Sequence, residues 1–92
     1  MKFYIWQKIL IYMIRHIPKD EINVLRLASK LDVTYQACNK SLKMLIQLGF
    51  MFKRMKIGRD TPVRLTDEGR VLAENMNNVY AQIGLAFKNK EK

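Results

Sequence analysis

Polar and basic side chains lie at helical spacing along residues 34–43, on one face of a predicted helix. They are Thr34, Tyr35, Gln36, Asn39, Lys40 and Lys43. The amides of glutamine and asparagine can each form two hydrogen bonds with an adenine edge, and lysine can reach guanine acceptors or a phosphate. Tyrosine can bond a phosphate or touch a thymine methyl group. The face therefore fits the major groove of duplex DNA, and the plainer alternative is an ordinary solvated helix face.

A second basic cluster lies between residues 53 and 64, in a predicted β-hairpin. Five basic residues against Asp60 alone give this segment a net charge of +4. The basic residues are Lys53, Arg54, Lys56, Arg59 and Arg64. Arg59 falls in the turn, where its side chain could enter a narrow minor groove. The alternative is that these charges protect a sheet edge from aggregation.

The overall composition favours a polyanionic partner. The chain has 92 residues, enough for one domain with a modest core, and 49% of them are hydrophobic, as in other folded chains. Its 17 Lys and Arg residues against 8 Asp and Glu residues give a net charge of +9. Nucleic acid is the first partner class that such an excess indicates, and an anionic membrane surface is the second. A charge kept only for solubility is the remaining alternative.

The sequence offers no support for catalysis, metal binding or a cofactor. With one cysteine, Cys38, and one histidine, His16, the chain cannot form an intrachain disulfide or a metal site built from such residues. It also lacks a nucleophile–base pair, paired carboxylates and a Gly-rich phosphate loop. We therefore predict no enzyme activity, no metal and no cofactor. Cys38 is expected to be a small core residue in a reducing, cytoplasmic setting.

Hydrophobic periodicity and capping residues predict one mainly α-helical domain over residues 1–92 with a small β-hairpin, an α+β winged helix-turn-helix. The predicted elements are helix 1 at residues 3–17, helix 2 at 24–31, a recognition helix at 35–48, a wing at 50–65 and a dimerisation helix at 67–88. Asn23, Thr34 and Thr66 are the predicted N-caps. Helix 1 is interrupted by charges and is too short to span a membrane, so we predict no membrane association.

The two helices of the helix-turn-helix are predicted to meet through apolar faces. Leu25, Ala28 and Leu31 of helix 2 are expected to point inward. The facing side of the recognition helix carries Cys38, Leu42, Leu45 and Leu48. The polar face of the recognition helix would then point away from the core.

The last predicted helix carries a seam of apolar residues at alternating steps of four and three. A chain of this length could not cover both that seam and helix 1, which is apolar on two sides. The sequence therefore predicts a homodimer. The predicted interface residues are Phe3, Trp6, Leu72, Met76, Val79, Tyr80, Ile83 and Phe87.

Two local motifs resemble those of known bacterial and archaeal regulators. The segment from Leu27 to Thr34, LASKLDVT, is similar to the helix-turn-helix of MarR-type and PadR-type regulators. The segment from Leu65 to Arg70, LTDEGR, is similar to the L-T-x-x-G sequence with which their helix after the wing begins. Arg59 falls where MarR-type wings carry the arginine of a D-x-R motif, with Ile57 in place of the acid.

The resemblance covers about residues 22–72 and extends to the trimmed winged-helix regulators of archaeal viruses and plasmids. It implies a winged-helix regulator of transcription. Together with the polar face, the basic hairpin and the predicted dimer, it leads us to predict a homodimeric repressor that binds double-stranded DNA, on a palindromic site because the dimer has two-fold symmetry. No small-molecule effector is evident from the sequence. The alternatives are a winged helix that binds another protein and a protein of anionic membrane surfaces. The recognition helix has no acidic residue, which disfavours the first, and the spread of basic residues over two elements disfavours the second.

Overall fold

Helices and short strands follow one another in the order of a winged helix. The structure, a computed structural model, describes residues 3–55 and 61–90, with side chains described as far as Leu85. Its elements are α1 (Ile5–His16), β1 (Ile22–Asn23), α2 (Val24–Leu31), α3 (Tyr35–Gln47), β2 (Met51–Lys53), β3 (Pro62–Leu65) and α4 (Asp67–Lys90). Four helices and a small antiparallel sheet in this part of the chain confirm the predicted α+β winged-helix class. The predicted wing residues Lys56 and Arg59 lie outside the described residues.

The ends of α1 differ from the prediction. The helix begins at Ile5 because Tyr4 is extended, with φ −67° and ψ 155°, and donates its N–H to Oε1 of Gln7 at 2.8 Å. It ends at His16 because the next residue has left helical geometry one position before Pro18, as residues that precede proline commonly do. At the other end of the chain, α4 continues to residue 90 rather than 88.

A third strand, which the sequence pattern does not predict, joins the hairpin to the helix-turn-helix. β1 pairs antiparallel with β3, with Ile22 opposite Val63, and the sheet order is β1-β3-β2. The N–H of Val24 extends this pairing by donating to the carbonyl oxygen of Thr61 at 3.1 Å. Because β1 has two residues, alternation along the sequence cannot reveal it. The strand fixes the start of α2 beside the hairpin.

The hydrophobic core lies between the helices and the inner face of the sheet. Its fully or almost fully buried side chains include Ile9, Leu10, Met13, Leu27, Leu42, Leu45, Met51 and Val63. The prediction that Leu25 and Leu48 point inward is wrong, because they are 63% and 60% exposed. On α2 the buried face consists of Val24, Leu27 and Ala28, which leaves Leu25 outside. Leu48 follows the last residue of α3, where the chain turns away from the core.

The turn between α2 and α3 is closed by hydrogen bonds at both helix ends. Asp32 adopts the left-handed conformation, with φ 56°, and its N–H donates to the carbonyl oxygen of Ser29 at 3.2 Å. The N–H of Val33 donates to the carbonyl oxygen of Ala28 at 3.1 Å, which completes a Schellman-type end. The hydroxyl of Thr34 then accepts the N–H of Ala37 at 3.2 Å and caps α3, as predicted.

A second junction connects the end of α3, the start of β2 and the start of α4. Gly49 adopts φ 86° and allows the N–H of Phe50 to donate to the carbonyl oxygen of Leu45 at 2.9 Å. The hydroxyl of Thr66 donates to the carbonyl oxygen of Gly49 at 2.6 Å and accepts the N–H of Gly69 at 3.0 Å. The N–H of Thr66 donates to the carbonyl oxygen of Phe50 at 3.1 Å. We call this group of hydrogen bonds the Thr66 junction.

Gly69 is required at the Thr66 junction because no side chain fits there. A Cβ at this position would overlap the carbonyl oxygen of Phe50 and lie 2.8 Å from its carbonyl carbon. We expect Gly69→Ala to lower the free energy of unfolding by about 1–3 kcal/mol, the range typical of overpacking, in chemical denaturation. Gly84→Ala is the matched control, since nothing lies within 4 Å of its Cβ. Gly84→Ala should raise the free energy of unfolding by about 0.5–1 kcal/mol. Equal effects of the two substitutions would contradict the steric argument.

Candidate nucleic-acid interface

The exposed face of α3 gathers the polar residues that the sequence analysis singled out. Gln36, Lys40 and Lys43 are exposed, Tyr35 is 42% exposed and Asn39 is half-buried. The opposite face carries Cys38, Leu42 and Leu45, all at most 1% exposed. Because the buried face sets the rotation of the helix, the polar face is presented in a fixed direction.

The amides on this face are available to a ligand. Within residues 3–55 and 61–85, the side chains of Gln36 and Asn39 have no hydrogen-bond partner, and Lys40 and Lys43 have no ion-pair partner. Between positions 35 and 48 the sequence contains no acidic residue. The face therefore combines unengaged donors and acceptors with a local positive charge, as a base-reading surface requires.

The described basic residues of the wing lie on two different faces of the sheet. Side chains alternate along a strand, so Lys53 is on the same face as the buried Met51, at the sheet margin. Phe52 and Arg64 are directly opposite each other in the β2–β3 register and share the outer face. Alternation from Phe52 places Arg54 on that outer face too. These cations form one cluster in the sequence, and the pairing of the strands divides them between two faces.

Each arginine on the outer face contacts a specific side chain. The guanidinium of Arg64 lies over the ring of Phe52, with its carbon 5.2 Å from the ring centroid. Nη2 of Arg54 lies 3.0 Å from Oε1 of Glu21 in an ion pair. Neither Phe52 nor Glu21 is among the predicted site residues. The two-residue alternation from Arg54 could have placed Phe52, but the position of Glu21 depends on β1 and has no local signal.

The predicted dimer residues are largely engaged within the chain. Phe3 packs edge-on against Tyr80, with ring centroids 4.6 Å apart. Trp6, Leu72 and Met76 pack against the core as partly buried residues. Since α1 packs on α4, part of the predicted seam is covered within the chain, and the predicted dimer interface stays a prediction.

The α1–α4 contact has features that the heptad pattern alone did not show. Ala73 of α4, four residues before Asn77, is fully buried. Nε of Arg15 donates to Oδ1 of Asn77 at 2.7 Å. Farther along α4, Val79 is 52% exposed and Ile83 is half-buried. The side chain of Phe87 lies outside the described residues.

Comparison with solved structures identifies the fold. The chain superposes on MepR, a transcription regulator of the Staphylococcus aureus multidrug efflux pump MepA, with a TM-score of 0.78 and 16% identity over 94% of this chain and 63% of MepR. It superposes on S. aureus MarR in complex with salicylate and kanamycin with a TM-score of 0.79 and 20% identity over 97% and 59% of the two chains. The F-93 protein of SSV1 gives a TM-score of 0.71 and 20% identity over 92% and 94%.

The fold is that of the MarR-type winged-helix regulators. The predicted resemblance to these proteins, and to a trimmed viral form, is thereby confirmed at the level of fold. This winged-helix chain spans less than two thirds of the length of MepR and of MarR but nearly all of F-93. No protein-family model matches the sequence, and no curated protein matches it either.

A cleft of about 360 Å³ opens between α1, the end of α2 and α4 of the winged helix. Its lining includes Lys8, Tyr12, Arg15 and Tyr80. The expectation that no small-molecule effector binds stays a prediction. Across residues 3–55 and 61–85, the side chains form no group of three metal-ligating residues. None of the helices described is both long and apolar enough to cross a membrane.

The thiol of Cys38 belongs to the buried face that supports the recognition helix. Cys38 is fully buried, and burial raises the pKa of its thiol from 9.0 to about 11. Since the unfolded chain loses this proton near its ordinary pKa while the folded chain keeps it, folding becomes less favourable as the pH rises. The thiol therefore contributes stability below pH 9 that is lost between pH 9 and 11.

We expect the free energy of unfolding of the wild-type chain to fall more steeply between pH 9 and 11 than that of Cys38→Ala. Denaturant titrations of both proteins across this range measure the difference, and the alanine variant supplies the background from tyrosine and lysine. Parallel pH profiles would show that the thiol titrates alike in the folded and unfolded chains.

Proposed function

We propose that this protein is a sequence-specific, double-stranded-DNA-binding transcription regulator that acts as a homodimeric repressor on a palindromic site. The observation that carries the proposal is the polar face of α3. Gln36, Asn39, Lys40 and Lys43 occupy one side of a helix whose other side is locked into the core. In helix-turn-helix proteins the second helix enters the major groove, and its exposed side chains read base edges.

Charge supports a nucleic-acid partner over a protein partner. The recognition helix and the described parts of the hairpin, residues 51–55 and 61–65, contain five basic residues and no acidic one. These residues lie on neighbouring elements, since α3 leads directly into β2. Lys40 and Lys43 can contact bases or phosphates, while the hairpin cations can hold the flanking backbone. In this proposal α3 recognises the bases, and the wing contacts the DNA backbone beside them.

The second half of α4 supports the homodimer. With 24 residues α4 is about 36 Å long, whereas the 12 residues of α1 extend about 18 Å. α1 can therefore cover only part of α4. Val79 and Ile83 are one helical turn apart on the same side and are incompletely covered within the chain. A second copy offers the same surface and would close it by two-fold symmetry.

Two-fold symmetry has a consequence for the DNA site. Two recognition helices related by a dyad would read a palindrome whose half-sites lie about 10 base pairs apart, or a multiple of that spacing. Occupying such a site is sufficient for repression, which needs no further surface on the protein.

The deciding experiment is a fluorescence-anisotropy titration with a duplex selected from a random pool and with a scrambled duplex. Affinity should fall on the order of 10³-fold between 50 and 200 mM salt, because several phosphate contacts release counterions. Asn39→Ala should weaken binding to the selected duplex by about 1–3 kcal/mol and should change binding to the scrambled duplex little. Lys53→Ala is the matched comparison and should weaken both duplexes about equally.

Two results would overturn this proposal. Absence of binding at low salt, or an affinity that does not respond to salt, would remove DNA as the ligand and leave a winged helix that binds another protein. Equal losses for the Asn39 and Lys53 variants on both duplexes would leave DNA binding intact but refute the division between reading and holding.

The dimer has its own test. Val79 is 52% exposed in the single chain, so Val79→Glu should leave the fold of a monomer intact while placing like charges face to face in a dimer. We expect sedimentation to show a dimer for the wild type and a monomer for Val79→Glu, with unchanged helical circular dichroism. Ala81→Glu adds the same charge at an exposed position on nearly the opposite side of α4 and should remain dimeric. A wild-type monomer that binds the palindrome would exclude this assembly.

A further inference from the structure

An acidic residue from outside the hairpin contacts one of the wing arginines. We propose that Glu21 is a positioning residue that holds the guanidinium of Arg54 in place for a DNA phosphate, a role that rests on the DNA-binding function proposed above. Oε1 of Glu21 lies 3.0 Å from Nη2 of Arg54. Glu21 immediately precedes β1 and Arg54 immediately follows β2, so the pair joins the two outer strands of the sheet across β3.

Both partners start from backbone that the sheet holds. The N–H of Arg54 donates to the carbonyl oxygen of Pro62 at 3.0 Å. Ile22, the residue after Glu21, is opposite Val63 in the β1–β3 pairing. The backbone that carries Glu21 thus lies on one side of β3, and the backbone that carries Arg54 lies on the other side. The ion pair fixes the direction of the Arg54 side chain relative to the whole sheet, not only relative to the hairpin.

The pairing leaves the guanidinium open to a second anion. A guanidinium carries five N–H donors in a planar fork, and Glu21 contacts it at Nη2. The side chain of Arg54 is 54% exposed while that of Glu21 is 34% exposed, so the cation is the more open partner. A phosphate oxygen can therefore bond to remaining donors while the carboxylate stays in contact.

Two opposing effects of Glu21 on DNA binding must be compared. An unpaired arginine samples many rotamers and loses that freedom when it binds a phosphate, whereas an arginine already ordered by a neighbour loses less. The negative charge of Glu21 also repels the phosphate, but water and salt screen this repulsion around an exposed pair. A phosphate bound to the remaining N–H donors of Arg54 would have the guanidinium between itself and the carboxylate, which would weaken the repulsion further. Ordering is thus the larger effect.

A double-substitution cycle in the 92-residue chain tests this proposal, with binding to the selected duplex measured at low salt. We expect Glu21→Ala to weaken binding on the order of twofold to fivefold, the upper part of the range set by exposed ion pairs. Glu21→Gln should lose less than about twofold, because its amide oxygen still accepts an N–H of Arg54. In an Arg54→Ala background, Glu21→Ala should cause no further loss, since Glu21 acts through Arg54 alone.

Asp20 supplies the matched control. It is the neighbouring acid, it is exposed, and it has no ion-pair partner among the residues that the structure describes. Asp20→Ala removes the same charge as Glu21→Ala and should not weaken binding. Melting temperatures of all variants within the error of the wild type show that the sheet itself is intact, so that a loss of affinity reports on Arg54 rather than on folding.

The outcomes separate this proposal from the DNA-binding function. Tighter binding by Glu21→Ala in both backgrounds would show that Glu21 acts as a repelling charge and would overturn the proposal. An equal loss in the two backgrounds would show that Glu21 acts independently of Arg54, and wild-type affinity of Arg54→Ala would remove Arg54 from the contact. Each of these leaves DNA binding standing. Only a failure of the wild-type chain to bind the duplex would overturn both the role of Glu21 and the DNA-binding function.

Discussion

The hydroxyl of Thr66 makes the connection on which the arrangement of this winged helix depends. It donates to Gly49, where α3 ends, and accepts from Gly69, in the first turn of α4. One side chain thereby fixes the recognition helix and the long C-terminal helix relative to each other, and β2 and β3 are held between them. The geometry also explains why the position of Gly69 tolerates no side chain, since the carbonyl group of Phe50 occupies the space.

The two faces of α3 link its packing to the DNA reading that we propose for it. Cys38, Leu42 and Leu45 are buried completely or nearly so, and on the other side the amides of Gln36 and Asn39 have no hydrogen-bond partner among the described residues. Burial of one face therefore orders the other without using its hydrogen-bonding groups. Such preorganisation suits base reading, because amide side chains on a rigid helix lose little further freedom when they meet a base edge.

The three-stranded sheet gives the basic hairpin a more specific organisation than its charge indicates. Arg64 stacks on Phe52, and Arg54 pairs with Glu21, whereas Lys53 lies on the other face. These three basic residues carry the same charge but differ in the side chains that they contact and in the face of the sheet on which they lie. The short β1 strand is responsible for much of this difference, since it brings Glu21 to the sheet. It also couples the start of α2 to the hairpin, so that both halves of the proposed DNA surface share one framework.

The sequence by itself determined the four helices, the two strands of the hairpin and the polar face of α3. The N-caps Asn23 and Thr34 and the helical spacing of apolar residues are local signals, so they could be read without knowledge of the fold. Only the tertiary structure decided which apolar residues are buried. Leu25 and Leu48 are apolar yet exposed, and Trp6 and Met76 pack within the chain, because helix packing and not composition sets these contacts. The strand β1 and the Glu21–Arg54 pair could not be predicted either, because they depend on residues about thirty to forty positions apart in sequence that meet only once the sheet has formed.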